Sequence, residues 1–365
     1  MRRPLTTLTL ALLAHAGAQD LRACGGQPGL PAGARDGVYR GSLGGRPIAL
    51  QVSLEDFDGL RYFYERIGVD IQLTAFHQGH ALILQEEVHK QLSGDAVVTG
   101  CFTLTPAGSG LKGTWHAPAS PGARLSVSLD ALDVSKLPLN LPSTPGLLKL
   151  RHDDPLAFLK LNRAWVKAPD GRSVREPYSQ LTYPRLPGGS AALNGALQDR
   201  QLRNAADALD CRSQLSQDAQ RDTTDGYQLT TSVTLLRPTL ISLREDVYYY
   251  CGGAHPDDFT VGLILDRATG KGVPLTQLWP TLNAAKQEAL YLAHPAQGLD
   301  PDCREVLTAG GLEFTAHLRP VGLSLTPTSL PHVVSACGDT AVIPYAELRA
   351  LVNRASPYLR DLTPR

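Results

Sequence analysis

The chain has 365 residues, of which 42% are hydrophobic and 19% charged, with 35 Lys and Arg against 35 Asp and Glu. This length suggests two ordinary domains, and this hydrophobic content is sufficient for real cores. A net charge of zero gives no long-range attraction to nucleic acid or anionic lipid, so the expected partner is a protein, a glycan or a small molecule.

Residues 1–18 have the pattern of a secretory signal peptide. Arg2-Arg3 is a basic start, residues 5–14 form an apolar stretch, and Ala16 and Ala18 are small residues suited to a cleavage site. The apolar stretch is well below the ~20 residues that span a bilayer. We therefore expect cleavage after Ala18, a periplasmic or extracellular location and no transmembrane helix in the mature chain. The alternative is an uncleaved membrane anchor.

The segment Leu21-Arg22-Ala23-Cys24 loosely resembles a lipoprotein box, in which the cysteine receives a lipid. Arg22 stands where a small or apolar residue is usual, and Asp20 interrupts the apolar run. We therefore favour an unanchored export product over a lipid anchor at Cys24.

The six cysteines fit an oxidising compartment, where disulfides persist. They are Cys24, Cys101, Cys211, Cys251, Cys303 and Cys337. Each half of the chain holds an even number, so each half can pair internally. The four cysteines of the second half allow three connectivities. We predict the pairs Cys211–Cys251 and Cys303–Cys337, because these join neighbours in the sequence.

Short strands separated by turn residues fill the segment that we assign to a first domain, residues 35–130. Residues 47–53, for example, alternate Ile48, Leu50 and Val52 on one face, directly after a Gly44-Gly45 turn. About eight such strands follow one another, which is typical of a small antiparallel barrel or sandwich.

Residues 131–175 are predicted to connect the domains. The proline-rich run 137–145 cannot continue a sheet ladder, and its leucines are expected to pack on a domain surface.

The segment 176–355 is predicted to form a second domain. Residues 190–209 have leucines and alanines at helical spacing. Two strands separated by Arg237-Pro238 predict a hairpin. Further strands are expected at 261–266, 273–275, 312–318 and 321–325. A helix is expected within 277–292, and residues 341–345 are expected to lead into a short helix at 346–352. Because helices and strands come in blocks, the whole chain is predicted to be α+β with an antiparallel sheet.

Several motifs of this second domain occur in an order that is familiar. They are YYYCGGAH at 248–255, DRATGK at 266–271, LTQLW at 275–279 and IPYAEL at 343–348. This order resembles the DUF3298/DUF4163 family over about residues 175–352. The resemblance implies an extracytoplasmic α+β module, as found in the outer part of a lysozyme-sensing anti-sigma factor and beside a peptidoglycan deacetylase domain.

The resemblance implies binding to a lysozyme-like protein or to peptidoglycan, without catalysis. The residues at hand show neither an anti-sigma segment nor a deacetylase domain, so we carry over only the binding role. The candidate binding residues follow the aromatic strand: Tyr249, Gly252, Gly253, His255, Asp257 and Asp258.

A histidine beside two carboxylates could also bind a metal or act as a base. A tetrahedral metal site needs further convergent ligands, so no metal or cofactor is predicted. No G-x-S-x-G elbow or Walker A loop is present, and no catalytic residue is assigned. The alternative hypothesis is a cell-wall glycan or peptide hydrolase that uses His255 with Asp257 and Asp258.

Overall fold

The structure is a computed structural model, and it describes residues 23–53, 59–89, 96–215, 226–252, 255–294 and 301–362. The predicted signal peptide and Gly253 lie outside the described residues. In these ranges, no helix is both long enough and apolar enough to span a membrane.

The first half of the chain forms a closed antiparallel barrel of eight strands. They are β2 (Gly37–Leu43), β3 (Arg46–Val52), β4 (Arg61–Tyr64), β5 (Asp70–Gln78), β6 (Ala81–His89), β7 (Ala96–Ala107), β8 (Gly110–His116) and β9 (Leu125–Leu132). The pairing of β2 with β9 and the pairing of β5 with β6 close the sheet. A two-residue strand, β1 (Gln27–Pro28), adds to β5. The predicted barrel is confirmed.

The barrel interior is filled by the alternating apolar residues of its strands. Ile48, Leu50 and Val52 all lie in the interior cluster, as their spacing in the sequence predicts. Tyr62 and Phe102 join them as an edge-to-face ring pair with centroids 5.3 Å apart. The barrel is therefore a packed core at its centre.

The connector contains two short helices that the sequence analysis did not predict, α1 (Pro145–Asp153) and α2 (Pro155–Leu161). Each begins with proline, whose fixed φ suits the first helical position. The residue before each proline caps the helix, since Thr144 accepts from the Leu147 N–H and Asp154 from the Ala157 N–H. A small sheet of β10 (Val166–Lys167), β11 (Ser173–Arg175) and β12 (Thr182–Pro184) follows.

The long helix α3 (Ala191–Gln214) begins after its N-cap Ser190, close to the predicted start. Its Leu202 and Leu209 pack with α1, α2 and the outer wall of the barrel. Its Leu193 and Leu197 pack instead against the sheet of the second half. One helix thus contacts both halves, while the predicted boundary near residue 176 stays a prediction.

The second half contains two three-stranded antiparallel sheets. The first is β13 (Gly226–Leu236), β14 (Leu240–Tyr250) and β15 (Asp257–Asp266), and the second is β16 (Phe314–Arg319), β17 (Gly322–Pro327) and β18 (Ala341–Pro344). The helices are α4 (Leu275–Leu278), α5 (Ala284–Ala293), α6 (Pro301–Thr308), α7 (Tyr345–Leu348) and α8 (Leu359–Leu362). Together with the barrel, they make the chain α+β, as predicted.

One strand prediction was wrong. Residues 273–275 make no strand, and a single bridge joins Gly272 to Leu265 before α4 begins at Leu275. Pro274 has no N–H to donate to a ladder, and its fixed φ favours the start of the helix that follows.

One disulfide lies in the first half of the chain and joins Cys24 to Cys101. Two disulfides lie in the second half and join Cys211 to Cys251 and Cys303 to Cys337. Both predicted pairs of the second half are confirmed. Cys211–Cys251 ties the C-terminal end of α3 to the end of β14, next to the predicted binding cluster.

Candidate functional site

The predicted binding residues that the structure describes lie at one end of the β14–β15 pair. Tyr249 stands directly opposite Asp257, and Tyr248 stands opposite Asp258. Because opposed residues share a face and neighbours alternate, the two pairs lie on opposite faces of the sheet. The candidate side chains of the two strands are therefore divided between two surfaces.

On the face that packs toward α3, Tyr249 and Phe259 form an aromatic pair with centroids 6.1 Å apart. The Tyr249 hydroxyl donates to Asp257 Oδ2 at 3.2 Å. Burial, and then the Asp257 carboxylate, raise the pKa of this hydroxyl above its ordinary value. The Phe259 side chain, in contrast, remains 42% exposed.

On the other face, Tyr248 is 43% exposed beside the exposed Asp258. The next polar group along this face is Asp246, which accepts from Thr260 Oγ1 at 2.8 Å and pairs with Arg244 at 2.7 Å. Arg244 is thus paired with Asp246, while Asp258 is an exposed acidic group at the end of the sheet.

Gly252 and His255 belong to the connection between the two strands. Gly252 has a φ of 94°, a conformation that suits glycine, and it directly follows the disulfide-bonded Cys251. His255 is exposed, and its Nδ1 lies 3.0 Å from the carbonyl oxygen of Pro256. Within the described ranges, no three His, Cys, Asp or Glu side chains converge in a way that could hold a metal ion.

Glu245 is a buried carboxylate that the sequence analysis did not single out. It is fully buried between β14 and α3, where Arg200 Nε donates to both of its oxygens at 2.9 Å. The Tyr183 hydroxyl also donates to it. Burial, together with this carboxylate, raises the pKa of Tyr183. In the sequence, Glu245 lies between Leu243 and Val247, and both of these residues are buried. This alternation is the signal that could have revealed an inward-facing charge at Glu245.

His317 is a second buried polar residue that sequence reasoning missed. It lies on β16 opposite Ser324 of β17, and both are fully buried. Burial, then the nearby charges of Arg244 and Arg319, lower the pKa of this imidazole to about 4. The ring is therefore neutral at physiological pH.

The fold and this site define an α+β protein that carries an aromatic and acidic surface cluster at the end of a disulfide-anchored sheet. No protein-family model matches the chain, and no curated protein matches it. Solved structures do match. One is a DUF3298 family protein from Pseudomonas aeruginosa PAO1, with 20% identity and a TM-score of 0.30. The match covers 38% of this chain and 64% of that chain, less than two thirds of its length.

A second solved structure is a member of the DUF3298 family from Bacteroides fragilis NCTC 9343. It has 13% identity and a TM-score of 0.33, and the match covers 80% of this chain and 97% of that chain. Both structures thus carry the family name that the motifs of residues 248–348 indicated.

Proposed function

We propose that this chain is an exported protein of the cell envelope that acts as a non-catalytic binding module. Three disulfides support an oxidising compartment outside the cytoplasm. The location follows the expectation from residues 1–18, and the binding role follows the family resemblance.

The proposed contact region is the sheet tip, which carries Tyr248 and Asp258 on one face and Tyr249, Asp257 and Phe259 on the other. The observation that carries the proposal is that Tyr248 and Phe259 are each more than two fifths exposed while carboxylates flank both. Aromatic residues are enriched at protein interfaces, because their large area is gained at low conformational entropy. The tip is also held by the Cys211–Cys251 disulfide, which favours a preorganised surface.

The acidic groups of the tip favour a basic protein, such as a lysozyme-like protein, as the partner. Asp257 and Asp258 would speed the approach of a positively charged surface, and Phe259 would supply apolar contact. The second candidate is cell-wall glycan. The exposed ring of Phe259 favours it, because a sugar ring can stack on an aromatic face.

The test uses the mature chain, immobilised under oxidising conditions, with lysozyme and purified peptidoglycan offered separately. We expect saturable capture of lysozyme that weakens as salt concentration rises, since exposed charges are screened. The variant Phe259→Ser/Asp258→Asn should reduce this capture at least tenfold. Val233→Ser is the matched control, because Val233 is an equally exposed apolar residue on the far edge strand of the same sheet.

Capture of peptidoglycan alone, with the same loss in the double variant, would reassign the partner to glycan. If neither ligand is captured, or if the tip variant binds like the control, the binding role of this surface is wrong.

A further inference from the structure

A cleft of about 350 Å³ lies between the outer wall of the barrel and the helical connector, far along the chain from the sheet tip. We call it the barrel–helix cleft, and its defining residues are Arg40, Phe63, Glu65, Asn140, Arg163 and Tyr178. Its volume falls in the range of small-ligand sites, roughly 300–1,000 Å³, and such sites occur preferentially where structural units meet.

One wall of the cleft is an ion pair on the barrel surface. Arg40 donates through Nε and Nη2 to the two carboxylate oxygens of Glu65, the second contact measuring 2.9 Å. This two-point geometry fixes both groups and balances their charges. The pair therefore contributes shape and hydrogen-bonding groups to the cleft but no net charge.

The opposite wall is a cation stacked on an aromatic ring. The guanidinium carbon of Arg163 lies 4.2 Å from the centroid of the Tyr178 ring. Tyr178 is itself held, because its hydroxyl donates to the Glu65 carbonyl oxygen and its ring packs on Gly68. A Cβ at Gly68 would lie only 2.5 Å from that ring, so the aromatic wall lies directly against the Gly68 backbone.

Arg163 gives the cleft a net positive charge. In the part of the chain that the structure describes, no carboxylate forms an ion pair with this guanidinium, although ion pairs are found for Arg40, Arg61, Arg200 and Arg244. Arg163 is half-buried, and beyond its contact with the Tyr178 hydroxyl its guanidinium has further N–H groups that can donate to a carboxylate.

The base of the cleft is rigid and partly apolar. The Asn140 N–H donates to Asn162 Oδ1 at 2.8 Å, and Asn140 Nδ2 donates to the Asn162 carbonyl oxygen at 2.8 Å. Phe63, only 2% exposed, supplies the apolar floor. A ligand would therefore meet a fixed surface with a cation on one side and a ring beneath.

We propose that the barrel–helix cleft binds a small organic carboxylate, with the acid group paired to Arg163 and the remainder lying over Phe63 and Tyr178. A peptide C-terminus and a carboxylated sugar share this chemistry, and the cleft has room for about one residue or one monosaccharide of either. This site is separate from the sheet tip, so the inference does not rest on the proposed function.

The test is calorimetric titration of the whole mature chain with two matched pairs of probes. N-acetylmuramic acid is compared with N-acetylglucosamine, and N-acetyl-alanyl-alanine with its C-terminal amide. We expect the acid of at least one pair to bind tenfold or more tightly than its neutral partner, and the pair that does so identifies the source of the carboxylate.

Arg163→Gln should abolish the preference for the acid, whereas Arg163→Lys should retain part of it, since the charge remains without the two-point geometry. Arg172→Gln, in an exposed turn outside the cleft, is the control and should bind like the original chain. Thermal unfolding of each variant shows that it is folded. The proposal is overturned if neither acid binds more tightly than its neutral partner, or if a folded Arg163→Gln variant keeps the preference.

Discussion

His317 and Ser324 face each other across the β16–β17 pair, and both side chains are fully buried. Among the described residues, the Ser324 hydroxyl has no hydrogen-bond partner, and both ring nitrogens of His317 also lack one. Arg244 and Arg319 place positive charge near the ring, which Asp246 only partly opposes. A neutral imidazole is thus built into the interface between the two sheets.

This arrangement predicts a loss of stability in mild acid. The pKa of His317 is about 4 in the folded chain and ~6.5 in the unfolded chain, so the unfolded chain binds more protons between these values. The free energy of unfolding should therefore fall as pH drops below ~6.5 and level off near pH 4, by about 3 kcal/mol in total. Urea unfolding at a series of pH values measures this.

His317→Leu should remove that part of the pH dependence, whereas His80→Leu, at an exposed turn, should leave it in place. An acid slope that is unchanged in His317→Leu would show that another group is responsible.

Because the Glu245 carboxylate is buried, we predict that removing its charge strongly lowers the free energy of unfolding. In Glu245→Gln, the Arg200 guanidinium would lose its two 2.9 Å contacts to a carboxylate in a largely buried place, so we expect destabilisation of about 3 kcal/mol. Arg200→Met/Glu245→Gln should cost less than the sum of the single changes, as a double-mutant cycle would measure. Asp153→Asn, which breaks an exposed pair with Lys149, is the control and should have a much smaller effect. Additive single changes would contradict the coupling.

The two sheets come close together at Gly262, so we predict that this position does not tolerate a larger side chain. A Cβ there would lie 2.0 Å from the Ala316 carbonyl oxygen, and the Gly262 N–H donates to Thr315 Oγ1 at 2.7 Å. Gly262→Ala should force β15 and β16 apart and destabilise the chain by about 3 kcal/mol. At Gly272 a Cβ would have open space, so Gly272→Ala should leave the melting temperature nearly unchanged. Thermal unfolding of both variants measures the difference. Equal melting temperatures for the two variants would refute the close approach.

Substitution of His255 distinguishes the binding role from the hydrolase alternative. The side chain is exposed and lies beside the Pro256 carbonyl oxygen, so His255→Ala should leave the melting temperature unchanged. If the module only binds, capture of its partner by this variant should also persist. If the chain is a hydrolase with His255 as its base, release of soluble fragments from peptidoglycan should occur with the original chain and stop with the variant.

The starts of α1 and α2 follow a local sequence rule that was not used to predict them. Thr144-Pro145 and Asp154-Pro155 are both a capping residue followed by proline, and both begin helices. Pro145 was expected only to interrupt a sheet ladder, and no prediction was made at Pro155. At residues 273–275 the reverse happened, since two apolar residues favoured a strand while Pro274 directed the chain into α4.

The sequence by itself determined the alternating strands of the barrel, the long helix after Ser190 and the pairing of cysteines that are neighbours in the chain. These features depend on side-chain periodicity, capping and short loops, which are local properties. Only the tertiary structure decided that Glu245 meets Arg200, and that Arg163 and Arg40 border one cleft. Such contacts join residues that are far apart in the chain, and their geometry is set by how whole elements pack.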